Sequence, residues 1–153
     1  MAANVRPIWI IKGDVSSDGL TGGGGATPAM APTLTTAAAD FTGVSANNKC
    51  VFVADATNGG RIELLRFKAI GSNVPTCARI YFNNGQAATV ATNNSFWGEQ
   101  SLPTSSIATN SATAGIEIDY VLRKALPPGF RVFVGLSVTV AAGWVVTPEG
   151  GKF

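Results

Sequence analysis

The chain has 153 residues, enough for one ordinary domain with its own core; 46% of them are hydrophobic and only 13% are charged. Eleven basic and nine acidic residues are scattered along the chain and give a net charge of +2, so neither nucleic acid nor an anionic membrane is expected as a partner. The apolar runs fall short of the roughly 20 residues that span a bilayer, and the absence of histidine excludes a zinc site of ordinary composition.

The N-terminal segment VRPIWIIK, residues 5–12, has the composition of a strand, and Pro7 restricts it to a sheet edge or a strand start. No basic region or cleavage site accompanies it, so a signal peptide is not expected. The next 36 residues, 13–48, carry no strand pattern, and a structureless connection of that length is uncommon inside a compact domain. We therefore predict an extended arm over residues 1–48 whose tip docks elsewhere in an assembly. The predicted partner-binding residues of this tip are Val5, Ile8, Trp9, Ile10 and Ile11.

Two patterns within the arm resemble ligand sites but lack a required part. Gly22–Gly25 run into Ala-Thr-Pro, whereas a phosphate-binding loop ends in Gly-Lys-Ser/Thr. The run Asp14–Gly19 matches the opening of a calcium loop, but the twelfth position, which supplies a bidentate glutamate in that motif, is Gly25. We predict a flexible linker and a polar turn, with a weak cation site as the alternative for the second pattern, and no cofactor or metal.

From Lys49 to the end of the chain, short runs of β-branched and aromatic residues alternate with turn signals, which predicts an all-β domain over residues 49–153. Seven or eight antiparallel strands in about 105 residues favour a two-sheet β-sandwich of jelly-roll kind. The predicted strands are KCVFVAD, RIELLRFKAI, TCARIYF, SFWGEQSLP, GIEIDYVLR, FRVFVGLSVTV and GWVVTP.

Two of these runs carry finer predictions. In RIELLRFKAI the polar residues change face between Glu63 and Arg66, so a β-bulge or bend is expected near Leu64 and Leu65. In FRVFVGLSVTV a strict alternation predicts a strand with one buried face. The side chains expected to point inward are those of Phe130, Val132, Val134, Leu136, Val138 and Val140.

Glu117 and Asp119 lie on one face of a predicted strand, roughly 7 Å apart, which is a spacing that an inverting glycosidase can use. Alternating carboxylates on a solvated strand face are much commoner, and without histidine the usual activated nucleophiles are missing. We therefore predict no catalytic residues and rank a hydrolase last among the hypotheses.

Trp97 and Trp144 lie within or beside predicted strands, where packing in a core or interface is the usual role. An exposed Trp97 or Trp144 would instead favour a carbohydrate-binding module. Cys50 and Cys77 form no CxxC pattern and are predicted to be small buried apolar side chains, with a disulfide as the alternative in an oxidising medium.

The turn and packing residues of the domain resemble a group of small structural proteins encoded in tailed-bacteriophage and prophage genomes. Three segments carry the resemblance, which covers residues 51–153: NGGRI at 58–62, GSNVPTCARIYFNNG at 71–85, and the ending at 126–153, LPPGFRVFVGLSVTVAAGWVVTPEGGKF. These residues specify a fold more than an activity. Residues 1–48, the GGKF ending and the two cysteines depart from the pattern of the group.

The resemblance implies a non-enzymatic virion component, a head decoration or cement protein on the outer capsid surface that is assembled in the host cytoplasm. Its implied partners are the major capsid protein and neighbouring copies of itself, in a homotrimer or homodimer, with the arm bridging subunits. The alternatives are a tail, collar, baseplate or fibre-adaptor protein of the virion, and a carbohydrate-binding β-sandwich.

Overall fold

The computed structural model of the protein describes residues 8–9, 32–38 and 40–152. These residues form nine β-strands and one short 3-10 turn at Ala91–Asn93, so the predicted all-β class is confirmed. The strands are β1 Ile8–Trp9, β2 Thr33–Leu34, β3 Lys49–Val53, β4 Gly60–Ala69, β5 Thr76–Asn83, β6 Asn94–Leu102, β7 Glu117–Leu126, β8 Arg131–Leu136 and β9 Trp144–Lys152. The described residues include no helix with the length and apolar character needed to cross a membrane.

The strands are arranged in two antiparallel sheets. Sheet A has the order β1-β9-β4-β7, with β2 pairing β9 as well, and sheet B has the order β3-β8-β5-β6. The pairing is nested along the chain, because β2 pairs β9, β3 pairs β8, β4 pairs β7, and β5 pairs β6. The predicted two-sheet antiparallel sandwich is therefore present.

A single hydrophobic core lies between the sheets and draws on both of them. Alternate residues of each strand point inward, as the period of two in a strand requires. Trp144, at the start of β9, is fully buried in this core, as predicted. Sheet A contributes Ile62, Leu65, Phe67, Leu122 and Val146, and sheet B contributes Phe52, Ala78, Ile80, Val132, Val134 and Leu136.

The face change predicted in the fourth strand is confirmed and lies between Ile62 and Leu64. The register of β4 shifts at this point against both of its neighbours, β7 and β9. Ile62 is buried before the shift and Leu65 is buried after it, so these two inward-facing residues are three positions apart instead of two. On the β7 side Arg123 adopts a φ of 48°, which accommodates the irregularity.

The inward alternation predicted for the eighth strand is wrong at Val138. β8 ends at Leu136, and Ser137 donates its backbone N–H to the carbonyl of Cys77. Thr76 then fixes Val138 through its hydroxyl, which accepts from the N–H of Val138 and donates to its carbonyl. Val138 is exposed because the chain has left the strand, whereas Val140 is buried again.

The packed part of the chain begins before Lys49. Leu34 of β2 enters the core, and the N–H of Val146 donates to the carbonyl of Pro32 at 3.0 Å. Ala38 donates to the carbonyl of Leu136 at 2.7 Å. Residues 32–38 and 40–48 therefore lie against the sandwich, although the sequence assigns them to the arm. The predicted linker and calcium-like turn lie outside the described residues and remain predictions.

Candidate interaction surface

Among the described residues, β6 has a strand on one side only and forms the outer edge of sheet B. Its register against β5 shifts between Ile80, which faces Gly98, and Tyr81, which faces Phe96. Trp97 is therefore the extra residue of a β-bulge. A bulge adds one residue to its strand and bends the strand locally. Phe96 and Trp97 are adjacent in β6, and their side chains lie on opposite sides of this edge strand.

On the outer face of sheet B, Phe96 contacts Phe41, which lies in the loop between β2 and β3. The two rings form an edge-to-face pair with centroids 5.3 Å apart, and Phe96 also contacts the ring of the buried Tyr81 at 5.7 Å. Phe41 is 57% exposed and Phe96 is 41% exposed. We call these two residues the Phe41–Phe96 patch. Two large adjoining aromatic side chains left in solvent mark a contact surface more readily than a single exposed one does.

Asp40 holds Phe41 in place. Its Oδ1 accepts hydrogen bonds from the N–H groups of Thr42 at 2.8 Å and Gly43 at 2.7 Å and from the Thr42 hydroxyl at 3.0 Å. Its carbonyl accepts the Tyr81 hydroxyl at 2.8 Å. Burial alone would raise the pKa of Asp40, but these hydrogen bonds outweigh it and the pKa lies below its usual value. The loop therefore stays anchored throughout the neutral pH range.

Gly43 completes this loop, because its φ of 76° favours a residue without a side chain. A Cβ at this position would also approach the Tyr81 ring to 3.0 Å. The loop can therefore lie flat on Tyr81 and present Phe41 beside it.

Arg79 gives the patch a charged border. Its guanidinium lies 4.0 Å from the centroid of the Phe41 ring, and its Nε donates to Glu99 at 2.9 Å. The Nη1 group donates to the carbonyls of Ala38 and Asp40 at 3.4 and 3.3 Å. An aromatic pair bordered by a fixed arginine has the composition of an interface hot spot.

Trp97 lies on the other side of the same edge strand and is 43% exposed. Its ring packs against Phe82, with centroids 4.9 Å apart, and the Nζ of Lys124 lies 4.6 Å from its centroid. Next to it, a Cβ on Gly98 would come within 2.5 Å of the Tyr120 hydroxyl, so the edges of β6 and β7 meet closely here. Trp97 thus has exposed area, but Lys124 covers part of its ring.

The two carboxylates considered for catalysis lie together on the outer face of sheet A, where both bind Arg66. Arg66 makes a two-point contact with Asp119 at 2.8 and 2.9 Å. It also lies 3.0 Å from Glu117 and 3.1 Å from Glu149. The hydrogen bond from Arg66 holds the pKa of Asp119 below its usual value. A general acid needs a raised pKa, so this arrangement favours an ion-pair cluster over an acid/base pair.

Replacing Arg66 by glutamine is expected to lower the urea midpoint slightly at pH 7 and to leave it unchanged near pH 2. The folded-state pKa of Asp119 is lowered, so its contribution to stability is present above the unfolded pKa of about 3.9 and is lost as the pH falls through the folded value. Urea titrations of both proteins at the two pH values measure this. Lys49→Gln, at the exposed first residue of β3, is the charge-matched control. A difference of equal size at both pH values would show that Arg66 acts through packing.

A surface cleft of about 420 Å³ lies where β3 and β5 end and β8 begins. It is lined by turn residues and by Asp55 and Arg131. The Asp55 carboxylate accepts the N–H groups of Thr57 and Asn58 and so serves to hold its own turn. Within the described part of the chain the Nε of Arg131 is buried without a hydrogen-bond partner.

No group of three or more His, Cys, Asp or Glu side chains in the described ranges has an arrangement that could hold a metal ion.

The two cysteines are separated by a whole strand. Cys50 of β3 pairs with Phe133 of β8, whereas Cys77 of β5 lies beside Ser137, just past the end of β8. Two strand spacings come to roughly 10 Å, well beyond the Cα separation that a disulfide allows. The alternative of a disulfide within the chain is therefore wrong, and both residues are partly buried thiols.

We expect the thiol of Cys50 to resist alkylation by iodoacetamide at pH 8 in the folded protein. Burial raises the pKa of Cys50 to about 12, although part of the residue's surface reaches solvent, so very little thiolate forms at that pH. Peptide mass spectrometry after labelling the native and the urea-unfolded protein measures the modification. Rapid labelling of Cys50 in the native state would contradict the burial that the structure gives it.

Of the five predicted tip residues, the structure describes two. Ile8 pairs with Lys152 and Trp9 with Gly151, so both lie along the outer edge of β9. Val5, Ile10 and Ile11 lie outside the described residues. The role of all five in binding a partner remains a prediction.

No protein-family model, curated protein or solved structure matches this chain in sequence or in fold.

Phe41 and Phe96 were not among the residues predicted from the sequence to bind a partner. One signal for Phe96 was present, since adjacent aromatic residues in a strand point to opposite faces and Phe96 is followed directly by Trp97. On an edge strand that faces only one neighbour, at least one of the two rings must be accessible. Phe41 lay in a segment assigned to the arm.

Proposed function

We propose that the protein is a non-enzymatic structural component of a tailed-phage virion, a head decoration protein that binds the outer capsid surface and ties capsid subunits together. The observation that carries this proposal is the Phe41–Phe96 patch beside the edge of β6 that no other described strand covers. A small sandwich that presents an aromatic pair beside such an edge is suited to binding another protein by strand addition.

The sandwich itself is proposed to be a jelly roll. In that topology a long hairpin is rolled up, so the outermost strands of the sequence pair with each other and each inner pair nests within the last. The nested pairs β2–β9, β3–β8, β4–β7 and β5–β6 support this assignment. Jelly rolls occur in viral capsid proteins and in lectins. By analogy, the topology fits a role on a capsid and also fits carbohydrate binding.

A decoration protein acts by holding several capsid subunits at once and requires no bond to be made or broken. Contacts from one chain to more than one subunit raise the apparent affinity through effective concentration, without any new type of contact. The Phe41–Phe96 patch would provide one such contact, and the predicted tip of the arm would provide another. Arg79 and Glu99 at the border of the patch would fix the orientation of the bound partner.

The direct test is binding of the purified chain to capsids that lack it. We expect saturable co-sedimentation at a fixed stoichiometry and an increase in the temperature at which the capsid opens. Binding without saturation, or saturation at a few copies per particle, would reject a head decoration role. Saturation at a few copies would favour the tail, collar, baseplate or fibre-adaptor alternative.

A carbohydrate-binding module is the second candidate, because Trp97 is exposed while Trp144 is buried. A tryptophan ring at a sheet edge can stack on a sugar, although Lys124 lies over this one. Glycan-array binding that is lost in Trp97→Ala and kept in Phe41→Ser would support this function. Equal absence of binding in the wild type and both variants would reject it.

A further inference from the structure

Two N-terminal strands lie on the same edge of β9, at opposite ends of it. β2 pairs with the beginning of β9, where Thr33 faces Val145 and Leu34 faces Trp144. β1 pairs with its end, where Ile8 faces Lys152 and Trp9 faces Gly151. Both run antiparallel to β9, so the edge receives the N-terminal part of the chain in two separate stretches.

Between these two stretches, the outer edge of β9 lacks one backbone N–H donor. The N–H of Val146 points outward, since it donates to the carbonyl of Pro32. Backbone groups of a strand repeat their direction every second residue, so the nitrogen of Pro148 points to the same side and carries no hydrogen. A strand lying along the whole edge would find no donor there. β1 and β2 are therefore separate attachments, and β2 is secured by a core residue, Leu34.

The connection between the two attachments is much longer than this arrangement requires. Trp9 faces Gly151 and Pro32 bonds to Val146, which places them five strand residues apart, roughly 17 Å. Residues 10–31 number 22, and a chain of that length can extend to about 75 Å. That reach is enough for β1 to arrive at the same edge on a second copy of the chain.

We propose that β1 is exchanged between copies, so that Ile8–Trp9 of one chain pairs with the C-terminal end of β9 of a neighbouring chain. The same register and the same backbone hydrogen bonds are formed in either case, so the exchange needs no new surface. The occupant of this edge is then a second copy of the chain, and the arm closes copies into a ring or a pair. The inference deepens the proposed function and rests on it for its role, because a capsid surface holds copies at high local concentration.

The test uses two single-cysteine variants of the full chain, both in a Cys50→Ala, Cys77→Ala background. One carries Ile8→Cys and the other Lys152→Cys, since these positions face each other in the pairing. Opposed residues of an antiparallel pair lie within the Cα separation that a disulfide needs. The two variants are unfolded, mixed, refolded together and oxidised, and the products are separated without reduction.

We expect a covalent heterodimer that contains one chain of each variant and disappears on reduction. A mixture of Ile8→Cys with Ser111→Cys, on the exposed loop before β7, should give at most background crosslinking. The double variant Ile8→Cys/Lys152→Cys, oxidised alone, should form covalent dimers or larger species. If it forms only an intrachain disulfide and the mixture gives no heterodimer, exchange is wrong and β1 pairs within its own chain.

All of these assays use the purified chain without capsids, so their failure would leave the capsid-binding proposal to be judged by its own test.

Discussion

Replacing Trp144 by alanine is expected to lower the free energy of unfolding by about 3–5 kcal/mol, a large part of what a domain of this size possesses. The side chain is completely buried at the start of β9, where it faces Leu34 on one side and Ala69 on the other. Its removal would leave a cavity that joins β2 to the core. Urea denaturation followed by circular dichroism measures the loss.

Two variants make this prediction specific. Trp144→Phe should cost less than Trp144→Ala, because it keeps most of the volume and removes an indole N–H that is buried without a partner in the described structure. Trp97→Ala is the control at an exposed tryptophan and should cost less than about 1 kcal/mol. Equal losses for Trp144→Ala and Trp97→Ala would contradict the placement of Trp144 in the core.

The double replacement Phe41→Ser/Phe96→Ser is expected to weaken capsid binding at least tenfold while leaving the fold intact. Buried aromatic anchors at an interface each contribute about 1–2 kcal/mol or more, and 1.4 kcal/mol corresponds to a factor of ten in affinity. Both rings lie outside the hydrophobic core between the sheets, so their loss should change the unfolding midpoint little. Co-sedimentation with capsids that lack the protein measures the affinity.

Val121→Ser is the matched control, because Val121 is 58% exposed but lies on the outer face of sheet A. It should bind capsids as the wild type does. If the double variant binds normally, the Phe41–Phe96 patch is not the contact surface. If Val121→Ser weakens binding as strongly, general surface apolarity is responsible and the patch has no special role.

The sequence was most informative where one face of a strand is buried. The polar residues on either side of Leu64 located the bulge of β4 to within about a residue, because a single added residue moves every later side chain to the other face. The burial of Trp144 agrees with the packing role that is usual for a tryptophan in or beside a strand, but the same expectation applied to Trp97, which is 43% exposed.

Features that depend on tertiary contacts could not be predicted from the alternation of polar and apolar residues. Val138 continues the alternating pattern, but a pair of hydrogen bonds to Thr76 ends the strand before it. Residues 32–38 and 40–48 have the composition of a linker, yet they bind the sandwich through backbone groups, such as the hydrogen bond from Ala38 to Leu136, and such bonds leave no signal in the hydropathy of the sequence. Phe41 belongs to that segment, so the patch that it forms with Phe96 could not be foreseen from periodicity.

We propose that this chain is a structural protein of the virion head. Its copy number per purified virion, determined by quantitative mass spectrometry against the major capsid protein, tests this proposal. We expect a ratio near one, or a simple fraction of one. A ratio of a few per hundred would place the protein at the tail or portal region, and its absence from virions would contradict the claim altogether.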